Sequence, residues 1–313
     1  MASSSVVWMN SGVLIYAAQS IGLHREPSKI GLSGTECELR RRMWVAILVY
    51  ENTTAWYNGM RSQIHPGDYD CIHPAYLPEL DGADENSRFR TLWSVQMSKM
   101  LLYFNEIYRE AYCTKRTCVY RAGALDRQIQ ELELKTYEML SADFESGTIE
   151  SQFRELAFEV LLCRLYLCVQ IPFLRKMNKF SCKRTLEVAQ RSIRSLIKFN
   201  DCALETISYR WYGQIWILTS PLLATIVMSI ALVKLDKDNE NLWSLVGHAY
   251  EILSTAPEFQ VLKGAEMACW VIKTINNERN CRGEIINNLD TFCGIEPMTK
   301  TLLQMFRKDE LFM

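Results

Sequence analysis

Apolar residues recur at three- and four-residue spacing along most of this chain, which is the period of one face of an α-helix. The clearest cases are residues 87–112, 123–140, 149–176 and 181–208, each long enough for several helical turns. No stretch alternates apolar and polar residues as a half-buried strand does. The sequence therefore predicts an all-α protein, built as a single large irregular helical bundle or array over residues 1–313.

The composition is that of a folded chain, because 49% of the residues are hydrophobic and 23% are charged. A formal net charge of −1 gives no general attraction to phosphate, so we expect this segment not to bind nucleic acid directly. The eleven cysteines are an odd number and include no Cys-x-x-Cys pair, which favours a reduced intracellular protein over a disulfide framework.

The stretch from Ile215 to Val233 contains no charged residue. It reaches the lower length limit of a membrane-spanning helix, about 17 residues. Polar residues and Pro221 interrupt it, however, and neither flank carries a strong basic cluster. We therefore predict a buried core helix, broken or kinked near Pro221, and no association with a membrane.

The first helix is predicted from Val6 to Ile21, with Gly22 ending it. Its expected inward face consists of Val6, Met9, Val13, Tyr16 and Ala17.

A second helix is predicted from Thr35 to Tyr57, where Ser33 and Glu36 have the spacing of a capping box. Its expected apolar stripe consists of Leu39, Met43, Ala46, Tyr50, Thr53 and Tyr57. Glu51 shares another face with Trp44, so its carboxylate needs a partner or a raised pKa. We predict a buried structural ion pair, with an arginine drawn from Arg25, Arg40, Arg41 and Arg61.

Five short motifs follow one another between Ile21 and Pro74. They are Gly22-Leu23-His24-Arg25-Glu26, the helix segment from Glu36 to Trp44 with three consecutive arginines, the acid Glu51, Gly59-Met60-Arg61, and Asp68-Tyr69-Asp70. In this order they resemble the middle homology region of fungal zinc binuclear cluster transcription factors. A weaker second patch, at Leu167–Arg175 with Ser181-Cys182 and Ala189, also resembles that family.

This chain departs from the family pattern at three of the motifs. The family usually has Trp-Trp at Trp44-Val45, aspartate at Glu51, and Gly-Arg-Pro at Gly59-Met60-Arg61. The six-cysteine zinc cluster of the family does not occur in these 313 residues. The family domain also begins several helices before its motifs, so the domain spanning residues 1–313 is expected to be truncated on its N-terminal side.

The resemblance implies a regulatory domain that controls transcription in the nucleus through a small-molecule effector, a protein partner or a second copy of itself. It implies an all-α fold as well. We assign six candidate ligand-binding or regulatory residues around the motifs: His24, Arg25, Arg41, Trp44, Glu51 and Arg61. We assign no catalytic residue, no metal ligand and no cofactor.

Two chemical alternatives involve histidines. His65, Asp68, Asp70 and His73 have metal-ligand chemistry within a short loop, although no helical or strand period makes them converge. His24, at the predicted end of a helix, has the chemistry of an acid–base residue and equally that of a cation favoured by the helix dipole.

Two other functions stay open. The chain lacks the Gly-x-Gly-x-x-Gly, phosphate-loop, His-Glu-x-x-His and Gly-x-Ser-x-Gly motifs, so an enzyme is less expected than a regulator. Eight tryptophans and fourteen tyrosines could nevertheless line a helical pocket of a protein that binds or turns over an apolar metabolite. A truncated product with no activity of its own is the third alternative.

Overall fold

The structure is a computed structural model that describes residues 4–57, 60–82, 84–111, 119–174, 179–202, 219–235 and 239–255, together with residues 269, 272 and 273. Across these residues it contains nine α-helices, one short 3₁₀ turn and no strand. The predicted all-α fold is confirmed.

The helices are α1 Ser4–Ser20, α2 Gly34–Tyr57, α3 Pro78–Asp81, α4 Glu85–Ala111, α5 Val119–Glu145, α6 Ile149–Leu174, α7 Lys179–Asp201, α8 Thr219–Leu235 and α9 Glu240–Thr255, with the 3₁₀ turn at Pro27–Ile30. Two predicted boundaries were wrong. The sequence predicts that the helix over residues 123–140 ends before a turn from Ser141, whereas α5 continues to Glu145. Ser181 has the chemistry of an N-cap and is predicted to cap the helix over residues 181–208, but it lies inside α7 and does not cap it. The apolar residues of 257–277 also predict a helix, but that segment lies almost wholly outside the described residues, and the tail from Cys281 lies wholly outside them.

The chain divides into two compact units. Unit 1 consists of residues 1–113 and 130–146, and unit 2 consists of residues 114–129 and 147–313.

In unit 1, α1 packs on α2, and α2 packs on α4. Gly22 adopts a positive φ of 73°, which turns the chain after α1 at little steric cost. The predicted capping box is present, since Ser33 Oγ accepts from the Glu36 N–H at 3.3 Å and Glu36 Oε2 accepts from the Ser33 N–H at 3.1 Å. These two signals set where α1 ends and where α2 begins. The core cluster of unit 1 consists of Ile15, Ala18, Leu23, Trp44, Leu48, Ile64 and Cys71.

The predicted inward faces of α1 and α2 were wrong. On α1 the buried side contains Ser11, Ile15 and Ala18. The five residues predicted to face inward are all exposed, namely Val6, Met9, Val13, Tyr16 and Ala17. On α2, Trp44 and Leu48 are buried, and the predicted stripe that includes Leu39, Met43 and Tyr50 faces outward. The reason is that each helix carries apolar residues on two faces, and the periodicity alone does not say which face packs.

Unit 2 contains a group of packed helices in which α7 contacts α6, α8 and α9, and α8 contacts α6 and α9. Almost all the described side chains of α8 are buried, including Leu223, Ile226 and Leu232. Thr225 and Ser229 are tolerated there because their hydroxyls donate to backbone carbonyls one turn earlier, at 2.7 and 2.8 Å.

The prediction of a core helix is confirmed for residues 219–235. The break or kink predicted near Pro221 borders residues 203–218, which lie outside the described residues. Pro221 is the third residue of α8, in its first turn, where a missing backbone N–H breaks no helical hydrogen bond. Among the described residues, no helix is both long and apolar enough to cross a membrane.

Candidate functional site

Trp44 lies at the centre of the segment that carries the sequence motifs. Its side chain is fully buried, with the ring of His24 at 6.1 Å and the ring of Tyr69 at 5.7 Å between centroids. The backbone carbonyl of His24 accepts hydrogen bonds from the N–H groups of Asp70 and Cys71, both at 3.2 Å. The turn that follows α1 and the loop that follows α2 therefore meet at Trp44.

The buried Glu26 and the partly buried Arg41 form an ion pair, and Arg41 precedes Trp44 by one turn of α2. Glu26 is 5% exposed and accepts from Arg41 through Nη2 and, at 3.3 Å, through Nε. It also accepts from the Ser28 hydroxyl at 2.7 Å and from the Ile72 N–H at 3.2 Å. The Arg41 guanidinium is the main cause that lowers the pKa of Glu26 from 4.5 to about 2. One carboxylate thus joins the 3₁₀ turn, α2 and the loop.

Asp70 extends the network toward solvent. It accepts from Lys29 at 2.9 Å and from the Glu26 N–H at 2.9 Å, and Arg25 lies 3.6 Å away. The Lys29 hydrogen bond is the largest cause of the lowered pKa of Asp70. Because these cations are exposed, screening by solvent keeps the contribution of each pair to stability small.

Arg42 holds the segment before α4 against α2. Both of its terminal nitrogens donate to Asp81 at 2.7 Å, and its Nε donates to Glu38 at 2.9 Å. Glu38 and Asp81 in turn accept from the backbone N–H groups of Ala75 and Leu77, at 3.0 and 2.9 Å. The bidentate geometry and the backbone bonds fix this irregular segment in one position.

The predicted ion pair of Glu51 was wrong. Glu51 is fully buried, as expected, but its oxygens accept from the Ser62 hydroxyl at 2.6 Å and the Gln63 N–H at 2.7 Å. Burial is the largest influence on this carboxyl and raises its pKa. The arginines do not reach it because Arg41 pairs with Glu26, Arg40 donates to the Ile21 carbonyl at 2.7 Å, and Arg61 is exposed.

We expect Glu51→Gln to leave the protein as stable as the native chain, or more stable, at neutral pH. The amide oxygen can still accept from Gln63, and Ser62, whose hydroxyl lies 3.1 Å from the Ile64 carbonyl, can donate there and accept from the new NH₂ group. Because the folded pKa is raised, the native protein binds more protons than the unfolded chain above pH 4.5, so its stability falls as pH rises through that window. Glutamine does not ionise, so the variant does not lose stability in this way as pH rises.

Urea unfolding of both proteins across a pH series measures this difference. The stability of the variant relative to the native chain should increase from acid toward neutral pH. A loss at neutral pH would show that the ionised carboxylate is needed in the fold.

The structure brings together three of the six candidate residues, His24, Arg41 and Trp44. Arg25 lies at the edge of the group through Asp70. Glu51 shares the buried face of α2 with Trp44 but lies two turns further along, a rise of about 10 Å. Arg61 is exposed and makes no ion pair within the described residues.

Sequence reasoning missed Glu26, Glu38 and Asp81 as the carboxylates that hold the motif. The Glu38–Arg42 pair has the four-residue spacing of a helical ion pair and could have been predicted. No local signal pairs Glu26 with Arg41, because a turn and the start of α2 separate them.

The four residues with metal-ligand chemistry do not converge. His73 Nδ1 lies 3.2 Å from the Ser98 hydroxyl, and His65 Nδ1 accepts from the Gly67 N–H at 3.1 Å. Asp68 accepts from the His65 N–H at 2.8 Å, and Asp70 belongs to the network above. The described part of the chain contains no group of three histidine, cysteine or acidic side chains placed to hold a metal ion.

Residues 1–145 match the model of the fungal specific transcription factor domain. An uncharacterized transcriptional regulatory protein of Schizosaccharomyces pombe is 26% identical over 207 residues, covering 64% of this chain and 33% of that protein. Transcription factor lepE of Aspergillus flavus is 27% identical over 210 residues, covering 59% of this chain and 24% of that protein.

A shorter match, 36% identical over 74 residues, covers 24% of this chain and 10% of the pyriculol/pyriculariol biosynthesis cluster transcription factor 1 of Pyricularia oryzae. This chain thus spans about a third or less of the length of these curated relatives. No solved structure matches it. Residues 1–145 of this chain are thus similar to the fungal specific transcription factor domain, and the relatives that it matches are named as transcriptional regulators.

Proposed function

We propose that this chain is a regulatory region that controls transcription in the nucleus by binding a protein partner or an effector, without binding DNA itself. The family match and the relatives, which are named as transcriptional regulators, support this role. The match to the Schizosaccharomyces pombe protein extends over 207 residues, which supports a regulatory region longer than the 145 residues of the family model.

The observation that carries the proposal is the pair of apolar faces that α1 and α2 turn outward. On α2, Leu39, Met43 and Tyr50 are 47%, 52% and 44% exposed and follow one another at helical spacing. On α1, Val13 and Tyr16 are more exposed still. Large apolar side chains grouped on an exposed face are typical of a surface that binds another protein.

The six candidate residues have a supporting place in this proposal. His24, Arg41 and Trp44 hold α2 against the turn and the loop, so they keep the outward faces in position. Arg25, Glu51 and Arg61 lie at the border of the same segment, and we propose that they influence regulation through that segment.

The alternative function, turnover of an apolar metabolite, gains no support from the groove described on unit 2. This groove has a volume of about 470 Å³, and its lining includes Glu159, Arg191, Arg194 and Lys198. Arg191 pairs with Glu159, and Lys198 lies 3.4 Å from Glu155. An apolar metabolite needs a mainly apolar lining, and these side chains are charged.

A tethered reporter tests the proposed function. The full 313-residue chain is fused to a heterologous DNA-binding domain, and expression is measured from a promoter that carries the matching sites. We expect a severalfold change relative to the DNA-binding domain alone, and no change from the untethered chain. Lys135→Ala, at an exposed position of α5, should act like the native chain. Unchanged expression at equal protein level and equal nuclear fluorescence would overturn the proposal.

A further inference from the structure

We propose that Ser28 is a phosphorylation site, and that a phosphate on its hydroxyl binds Arg41 in place of Glu26 and so releases the loop after α2. This inference deepens the proposed function and rests on it only for its regulatory meaning, because it names how the segment that holds α2 in position is controlled.

Ser28 is exposed in a short, irregular part of the chain. It is the second residue of the 3₁₀ turn Pro27–Ile30, and the three residues after it are exposed as well. Gly31 ends the turn in the left-handed conformation, at a φ of 77°. A kinase has to bring the hydroxyl beside its nucleotide, which requires an exposed segment that is not fixed in a long helix. A turn of four residues meets this requirement.

The residues around Ser28 have the charge pattern of a kinase substrate. Arg25 lies three residues before it and Lys29 directly after it, and their side chains are 61% and 66% exposed. Kinases that select basic substrates bind them with acidic side chains, and such charge patterns determine which substrate is accepted. The exposed pairs of both cations with Asp70 are weak enough to be exchanged for the acids of a kinase.

The other serines and threonines that the structure describes outside the α-helices lack this pattern. They are Ser33, Ser62, Ser146 and Thr148, and the residues three positions before them are Ile30, Gly59, Asp143 and Glu145. None of these preceding residues is basic. The charge pattern therefore selects Ser28 among them.

The Ser28 hydroxyl contacts the ion pair that joins the turn, α2 and the loop. It donates to Glu26 Oε1 at 2.7 Å, and the same oxygen accepts from Arg41 Nη2. The other carboxylate oxygen of Glu26 accepts from the Ile72 N–H at 3.2 Å. A single oxygen atom thus lies between the serine hydroxyl and the guanidinium, and the same carboxylate holds the loop.

Phosphorylation converts this hydrogen-bond donor into an anion. The kinase transfers the γ-phosphoryl group of a nucleoside triphosphate to Ser28 Oγ. The bond between Oγ and phosphorus forms, the bond between that phosphorus and the β–γ bridging oxygen breaks, nucleoside diphosphate leaves, and the hydroxyl proton passes to the base of the kinase. The product has a charge of about −1.5 to −2 near pH 7 and three acceptor oxygens.

The phosphate and the Glu26 carboxylate compete for Arg41. The hydrogen that Ser28 donated is gone, and the two neighbouring anions repel each other. A guanidinium binds phosphate oxygens through two parallel hydrogen bonds, so Arg41 exchanges the carboxylate for the more highly charged group. Glu26 then lacks a cation in its buried position, moves toward water and gives up the Ile72 N–H.

Phosphorylation in vitro tests the site. The full chain is incubated with ATP, Mg²⁺ and a purified kinase that selects arginine three residues before serine, and phosphopeptides are quantified by mass spectrometry. We expect phosphate on Ser28, at a rate that falls at least about tenfold in Arg25→Ala. Arg61→Ala is the matched control, since it removes another exposed guanidinium and should leave the rate unchanged. A chain without phosphate on Ser28, or an equal rate in Arg25→Ala, would overturn the assignment of the site.

Amide hydrogen exchange of the phosphorylated chain tests the release of the loop. The Ile72 amide should exchange at least about tenfold faster than in the unmodified chain, because it loses its acceptor. The Ala75 amide, which donates to Glu38 at 3.0 Å, is the internal control and should not change. The pKa of Glu26, followed by carbon-13 NMR, should rise from about 2 toward 4.5.

Ser28→Ala separates the phosphate from the lost hydrogen bond. This variant keeps Arg41 on Glu26, so its Ile72 amide should be accelerated less than in the phosphorylated chain. An equal acceleration would show that the phosphate itself is not what opens the loop. Unchanged exchange at Ile72 after phosphorylation of Ser28 would also overturn the release, as would an equal acceleration at Ala75, which indicates global unfolding.

These measurements and the reporter are independent of each other. A chain that is phosphorylated on Ser28 and releases its loop, but leaves the tethered reporter unchanged, contradicts only the proposed function. A chain that changes the reporter but accepts no phosphate on Ser28 contradicts only the modification site.

Discussion

Replacing Trp44 with alanine is expected to lower the free energy of unfolding by about 3–5 kcal/mol. The side chain is fully buried and belongs to the core cluster that joins α1, α2 and the loop through Ile64 and Cys71. A truncation to alanine removes its apolar contacts and leaves a cavity where three segments meet. Urea unfolding followed by far-ultraviolet circular dichroism measures the loss.

Trp44→Phe is the matched control for this prediction. The indole N–H of Trp44 is buried and makes no hydrogen bond with the described residues, so phenylalanine sacrifices no such bond. We expect a loss of about 1–2 kcal/mol, caused by the smaller ring alone. If phenylalanine were as damaging as alanine, the indole N–H would be making a contact that the fold requires, and the packing account would be wrong.

Arg41→Ala is expected to cost about 3–5 kcal/mol, because it leaves the Glu26 carboxylate buried without its cation. Glu26 would keep the Ser28 and Ile72 hydrogen bonds, which limit the loss but supply no positive charge. Arg61→Ala, which removes an exposed guanidinium from the neighbouring loop, should change stability by less than about 0.5 kcal/mol. Equal effects of the two variants would contradict the assignment of Glu26 to Arg41.

The pH dependence of the same variant gives a second readout. Glu26 titrates at about 2 in the folded protein, against 4.5 for an ordinary glutamate. A lowered pKa stabilises the fold above pH 4.5, and that contribution, about 3 kcal/mol, is lost as pH falls from 4.5 to 2. The difference between the native chain and Arg41→Ala should therefore be full at neutral pH and shrink across this interval. A difference that is constant with pH would show that Arg41 acts through packing alone.

The ends of α1 and α2 could be predicted because they depend on neighbours in the chain. Gly22 supplies the left-handed turn after α1, and the hydrogen bonds between Ser33 and Glu36 satisfy the first backbone donors of α2. The order of the motifs also carries the resemblance to the family, because that order lies in the sequence and does not depend on packing.

The inward faces of α1 and α2 could not be predicted in this way. Val13 and Ile15 are both apolar, and so are Met43 and Trp44, but only Ile15 and Trp44 are buried. A periodic pattern identifies a face that is able to pack, whereas the neighbouring helix and loop select the face that does.

The partners of the acidic residues follow the same division. The sequence by itself determined the helical fold, the caps, the family resemblance and the need of Glu51 for a partner or a raised pKa in an apolar setting. Only the tertiary structure decided that Arg41 donates to Glu26 and that Ser62 and Gln63 donate to Glu51. The physical reason is distance along the chain: capping and helix formation act between residues a few positions apart, whereas these pairs form only after a turn or loop has brought its residues back onto α2.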